Sequence, residues 1–93
     1  MDNITNSNVD TPVKLKLELD GRVVEYTPDT VFQVQVGRFK GSYKPKASFT
    51  GNFSAALIQY HGTNVDTDNG FKKRLVAFEP SDDKSLKVLA RTK

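Results

Sequence analysis

The sequence predicts an α+β domain: a small antiparallel sheet of about five strands with one short helix packed on one face, in the order β-β-β-α-β-β. Three observations carry this expectation. Residues 13–36 hold three runs in which apolar and polar side chains alternate, the period of half-buried strands. Asp20-Gly21, between the first two runs, tolerates the positive φ angles of a two-residue hairpin turn. Residues 53–60 place apolar side chains at helical spacing.

The elements follow in order. Residues 1–11 are polar and show no apolar period, so they are expected to form a flexible tail ahead of a single domain at 12–93. Val13, Leu15, Leu17 and Leu19 alternate with Lys14, Lys16 and Glu18, and Arg22 to Thr27 returns after the turn. A two-residue loop pairs Leu17 with Val24, Leu15 with Tyr26 and Lys16 with Glu25, two apolar pairs on one face and one ion pair on the other. Pro28-Asp29 marks a turn. Phe32, Val34 and Val36 then alternate with Gln33 and Gln35 as a third strand.

Gly37 interrupts that strand. As a bulge it would keep Phe39 on the face of Val36. Without a bulge, Phe39 and Tyr43 face the side of Gln33 and Gln35. There is room for an optional further strand ahead of the helix. Asn52 is suited to cap a helix at about 53–61, with Phe53, Ala56, Leu57 and Tyr60 as its inward stripe. Gly62 is placed to end it in the left-handed conformation. Residues 63–70 are turn chemistry, and 71–79 read as a strand. Pro80 to Lys84 reads as a loop. Leu86, Val88 and Ala90 alternate as a last strand; the rival is a helix capped by Ser81. The strand is preferred because a hairpin with Arg74–Glu79 needs only a short loop. The expected core is Leu15, Leu17, Val24, Tyr26, Val34, Val36, Phe53, Leu57, Val76 and Phe78.

Composition narrows the function classes. A chain of 93 residues makes one domain at most, and it contains no cysteine, so no disulfide or thiolate metal site is available. The polar N-terminus lacks the pattern of a secretory signal, and no apolar run is long enough to cross a bilayer. A cytoplasmic protein with no membrane partner is expected, in the host cell if the domain is phage-encoded, as small motif-poor domains often are.

Potential chemistry is sparse. His61 falls at the helix C-terminus, where a cation suits the dipole, and Ser54 lies about two turns away. No nucleophile elbow is present. Asn64, Asp66 and Asp68 begin like a calcium loop, but the glycine comes one position late, at Gly70, and Leu75 occupies the bidentate position. The glycines make no phosphate loop. Lys40-Gly41-Ser42-Tyr43 continues into Lys44-Pro45-Lys46, which departs from the RNA-recognition motif. No enzyme, cofactor or metal is expected.

The remaining signal is charge. Net charge is −3 over residues 1–30, +5 over 31–74 and +1 over 75–93. Arg38, Phe39, Lys40, Tyr43, Lys44 and Lys46 interleave cations with aromatics, and Lys72, Lys73 and Arg74 form a second cluster. Cations neutralise phosphates and aromatic faces stack on unpaired bases. A strand–helix–strand path could bring both clusters to one edge. The expected function is therefore non-enzymatic binding of RNA or single-stranded DNA through a basic-aromatic face. The same lysines would also keep an edge strand from pairing. The competing class is a small protein-binding module or inhibitor that docks on an acidic protein through its basic face or a sheet edge.

Overall fold

A computed structural model describes residues 14–38 and 41–92, apart from the side chain of Asp83. The tail expected at 1–11 lies outside the described residues, as do Phe39 and Lys40. The elements are β1 (Leu15–Leu19), β2 (Arg22–Tyr26), β3 (Val31–Arg38), β4 (Lys44–Thr50), α1 (Phe53–Gly62), a short 3₁₀ turn (Thr67–Asn69), β5 (Phe71–Glu79) and β6 (Asp82–Arg91). The strands form a two-stranded hairpin, β1-β2, and a four-stranded antiparallel sheet in the order β4-β3-β5-β6. The fold is α+β with one α-helix among the described residues, and the optional strand ahead of the helix is present as β4.

The hairpin has the expected register: Leu15 faces Tyr26, Lys16 faces Glu25 and Leu17 faces Val24. Asp20 and Gly21 have φ of 52° and 81°, which allows the chain to reverse in two residues. Phe32 holds both covering elements to the sheet. Its ring meets Tyr26 of the hairpin edge-on at 5.3 Å and Phe53 of the helix at 5.5 Å. Hairpin and helix therefore cover the same face. Beneath them Phe32, Val34 and Leu75 are fully buried, and Val24, Ala56, Tyr60, Ala77 and Leu89 join them. Burial of each large side chain contributes roughly 1.5–3 kcal/mol.

The helix starts where expected, with the Asn52 side chain accepting a hydrogen bond from the Ala55 N–H at 3.0 Å. Its end differs. Gly62 is the last helical residue, without a positive φ, and Thr63 closes the helix in an extended conformation. The Thr63 hydroxyl donates to the Gln59 carbonyl at 2.7 Å, so a side chain satisfies the helix end that a left-handed glycine was expected to close.

Strand pairing decides between the two Gly37 alternatives and corrects two other expectations. Gly37 is not a bulge: β3 pairs with β5 without a shift through Gly37–Lys72 and Arg38–Phe71. The irregularity against β3 lies in β4, where Ala47 faces Val34 and Pro45 faces Gln35, leaving Lys46 as the extra residue. Pro45 lacks an N–H, and an outer strand tolerates that loss. Second, β5 has the opposite phase from the one assumed. Leu75 and Ala77 enter the core beneath the helix; Val76, on the other face, is fully buried as expected, whereas Phe78 beside it is only half-buried. Third, residues 82–91 form a strand, but Leu75 faces Ala90 while Val76 faces Val88. The extra residue, Leu89, turns into the core at 3% exposure, and Val88 moves to the far face.

Polar contacts close the far end of the sheet. Thr30, buried, donates to the Glu79 carboxylate at 2.5 Å, and the Ser85 hydroxyl accepts from the Glu79 N–H at 2.7 Å. Gly51, at φ 67°, lies against Pro28 so closely that a Cβ would overlap the proline carbonyl oxygen.

Candidate functional site

Hairpin and helix both cover one face of the four-stranded sheet; on the other face Val76 is fully buried, Gln35 is 8% exposed, and the charged side chains lie toward one end. Strand alternation determines which side chains it carries. Gln33, Gln35 and Gly37 project there from β3, Lys72, Arg74 and Val76 from β5, and Arg91 and Val88 from β6. The antiparallel register gathers the cations at one end: Arg38 closes β3, Lys44 opens β4, Phe71 opens β5 and Arg91 closes β6. The acids of the sheet strands, Glu79, Asp82 and Asp83, lie at the opposite end. No Asp or Glu occurs between residues 31 and 65, 69 and 78, or 84 and 93.

Arg74 organises the basic end. Its guanidinium stacks over the Tyr43 ring, with Cζ 4.0 Å from the centroid. Its Nε donates to the Gln35 side-chain oxygen at 2.6 Å. The Gln35 amide donates to the Gln33 oxygen at 2.7 Å, and the Gln33 amide donates to the Ser48 hydroxyl at 2.9 Å. A chain of polar side chains thus crosses from β5 over β3 to β4. Tyr43 reaches Arg74 by crossing over Gly37. A Cβ at Gly37 would meet the Ser42 carbonyl oxygen and Tyr43 Cα at 3.1 Å, so the close approach needs glycine.

Arg91 faces Arg74 directly across β5 and β6. Like charges opposite one another in a sheet disfavour the pairing that brings them together.

The two basic clusters do not merge into one arc. Lys72 and Arg74 belong to the open face, but Lys73 points to the helix side. Its ammonium donates to the carbonyls of Tyr60 at 2.6 Å and Thr63 at 3.0 Å, and lies 4.4 Å from the centroid of the Tyr60 ring. Arg38 also turns to that side, with Cζ 4.7 Å over the Phe71 ring. A groove of about 410 Å³ runs beside it, lined by Val36, Phe71, Pro45 and the two lysines of β4. Lys44 and Lys46 are exposed on the outer strand, where they also discourage edge-to-edge pairing. Phe39 and Lys40 lie outside the described residues.

Sequence reasoning did not single out Gln33, Gln35, Ser48 and Arg91 as site residues. The alternation of the two glutamines with Phe32, Val34 and Val36 already placed them opposite the core. Arg91 had no such signal, because its pairing with Arg74 depends on the bulge at Leu89.

Burial pushes the Tyr60 phenol above its ordinary value of 10.0, and the nearby Tyr43 phenol adds to the shift. His61 is exposed in the last helical turn, its ring edge-on to Tyr60 at 5.4 Å. The Asp66 carboxylate accepts from the Asn69 side-chain amide within the 3₁₀ turn. No group of three or more potential metal ligands occurs among the described residues. No helix there is long and apolar enough to cross a membrane. No protein-family model, curated protein or solved structure matches the chain.

Proposed function

We propose that this protein binds single-stranded nucleic acid, RNA or DNA, without catalysis, on the open face of its four-stranded sheet. The observation that carries the reading is the direct opposition of Arg74 and Arg91 on that face. Two cations at facing positions carry a like-charge cost that a bound phosphate would offset. Gln33, Gln35 and Ser48 continue the surface as neutral hydrogen-bonding groups beside the cations. Lys72 adds a cation on that face from β5, and Lys44 and Lys46 stand at the outer strand beside the Arg38 groove. No basic helix suited to a major groove is present among the described residues, so an unpaired strand is the better ligand.

Titration of labelled single-stranded RNA at several salt concentrations tests this. Arg74→Gln combined with Arg91→Gln should weaken binding at least tenfold and flatten the salt dependence by about 0.7 for each phosphate no longer neutralised. Absence of binding to either RNA or single-stranded DNA at low salt would remove the proposal.

One observation favours the second reading, a protein-binding module. β2 and β6 are outer strands of their sheets, and they flank a groove of about 530 Å³ lined by Arg22–Glu25 and Lys87–Leu89. The guanidinium of Arg22 spans it, donating to the Leu89 carbonyl at 2.6 Å. Unpaired strand edges accept an added peptide strand. Partner capture that survives nuclease treatment and high salt would favour this reading.

A further inference from the structure

Arg74 is held from two directions. Its Nε donates to the buried Gln35 oxygen at 2.6 Å, and its Cζ lies 4.0 Å from the centroid of the Tyr43 ring. A guanidinium fixed in this way loses little further freedom when it meets a ligand. Nε is engaged by Gln35, so the Nη groups are the donors left for an anion. Arg91 is exposed and occupies the position of β6 that faces Arg74. Neither arginine has an ion-pair partner among the described residues.

Charge then decides which phosphate suits the pair. A phosphodiester inside a strand carries one negative charge. A phosphate monoester at a strand end carries about two near neutral pH and presents three terminal oxygens. A diester between the two guanidiniums leaves one positive charge uncompensated. A monoester leaves none, and its additional charge is attracted by both cations. Its third oxygen also lets one arginine bind two oxygens through its Nη groups while the other keeps an acceptor of its own.

Building on the nucleic-acid reading, we infer that the Arg74–Arg91 pair is a terminal-phosphate site, which selects single strands whose end carries a phosphate monoester. Hydrolysis of a phosphodiester leaves such a group on one of the two new ends. The ligand class is therefore a strand that has been cleaved. Gln35 and Tyr43 act as positioning residues, because they touch Arg74 and fix the direction of its fork.

The test measures the affinity of one single-stranded RNA sequence with a 5′-phosphate, with a 3′-phosphate and with hydroxyls at both ends. A fourth strand has hydroxyl ends and two more nucleotides, so it matches the phosphorylated strands in total charge. At least one phosphorylated strand should bind about tenfold more tightly than both hydroxyl strands. Arg91→Gln, at an exposed position, should remove most of that gain, and Arg74→Gln should do the same. Lys16→Gln removes an exposed cation of the hairpin and should leave the gain intact. Equal binding of phosphorylated and charge-matched hydroxyl strands, or a gain that survives Arg91→Gln, overturns the inference while the nucleic-acid reading stands. A phosphoserine peptide that binds as tightly as the phosphorylated strand also overturns it, by assigning the pair to a phosphoprotein. Binding of no strand at low salt overturns the reading, and the inference with it.

Discussion

Lys73 Nζ donates to the carbonyl oxygen of Tyr60 at 2.6 Å, so a cation at the centre of the second basic cluster closes the helix from the neighbouring strand. It satisfies a carbonyl at the negative end of the helix dipole, and it draws α1 onto β5. Its neighbours in sequence, Lys72 and Arg74, point to the opposite face. Three consecutive cations thus separate into one that holds the helix and two on the open side of the sheet.

Replacing Lys73 by Met should therefore lower stability rather than nucleic-acid affinity. Two charge-assisted hydrogen bonds disappear, and a loss of roughly 1–3 kcal/mol is expected from denaturant unfolding. If stability is unchanged and RNA affinity falls as far as in Arg74→Gln, Lys73 belongs to the interface.

The phase of β5 gives a second prediction. Leu75 is fully buried and Ile58 on the outer side of the helix is 73% exposed. Leu75→Ala should cost about 2–5 kcal/mol, while Ile58→Ala should stay within about half a kcal/mol. Comparable costs at the two positions would contradict the placement of the core.

Two glycine-to-alanine substitutions should have opposite signs. Gly51→Ala meets the Pro28 carbonyl and keeps an unfavourable φ of 67°, so it should destabilise by more than about 1 kcal/mol. Gly62 is helical, exposed and has nothing within 4 Å of an added Cβ. Gly62→Ala should stabilise by about 0.4–1 kcal/mol. Thermal unfolding of the two variants reads both signs.

Tyr60 makes alkaline stability a further check. Its phenol keeps its proton more tightly in the folded than in the unfolded state, because burial disfavours phenolate. Its contribution is fully present below the unfolded value of 10.0 and declines as pH rises through the folded value. In spectrophotometric titration one tyrosine should ionise above 10.0, and Tyr60→Phe should remove that late step. A late step that persists in Tyr60→Phe would assign it to another tyrosine.

Much of the fold was legible along the chain because the deciding interactions are local. The hairpin register follows from Asp20-Gly21 and from strict alternation on either side. The helix follows from Asn52 and a stripe three and four residues apart. The sorting of cations between faces was not legible. Phe71 to Glu79 carries apolar residues at consecutive positions 75–78, so either phase is compatible with its sequence. The Arg74–Arg91 opposition depends on one extra residue, Leu89, in a strand whose alternation alone would have buried Val88. Neighbouring residues were enough to specify most of the elements, their order and the segregation of charge along the chain. Which cations became structural and which met on one surface was settled only in three dimensions. Strand phase and bulge position are chosen there by packing against Phe32, Val34 and the helix, and not by neighbours in sequence.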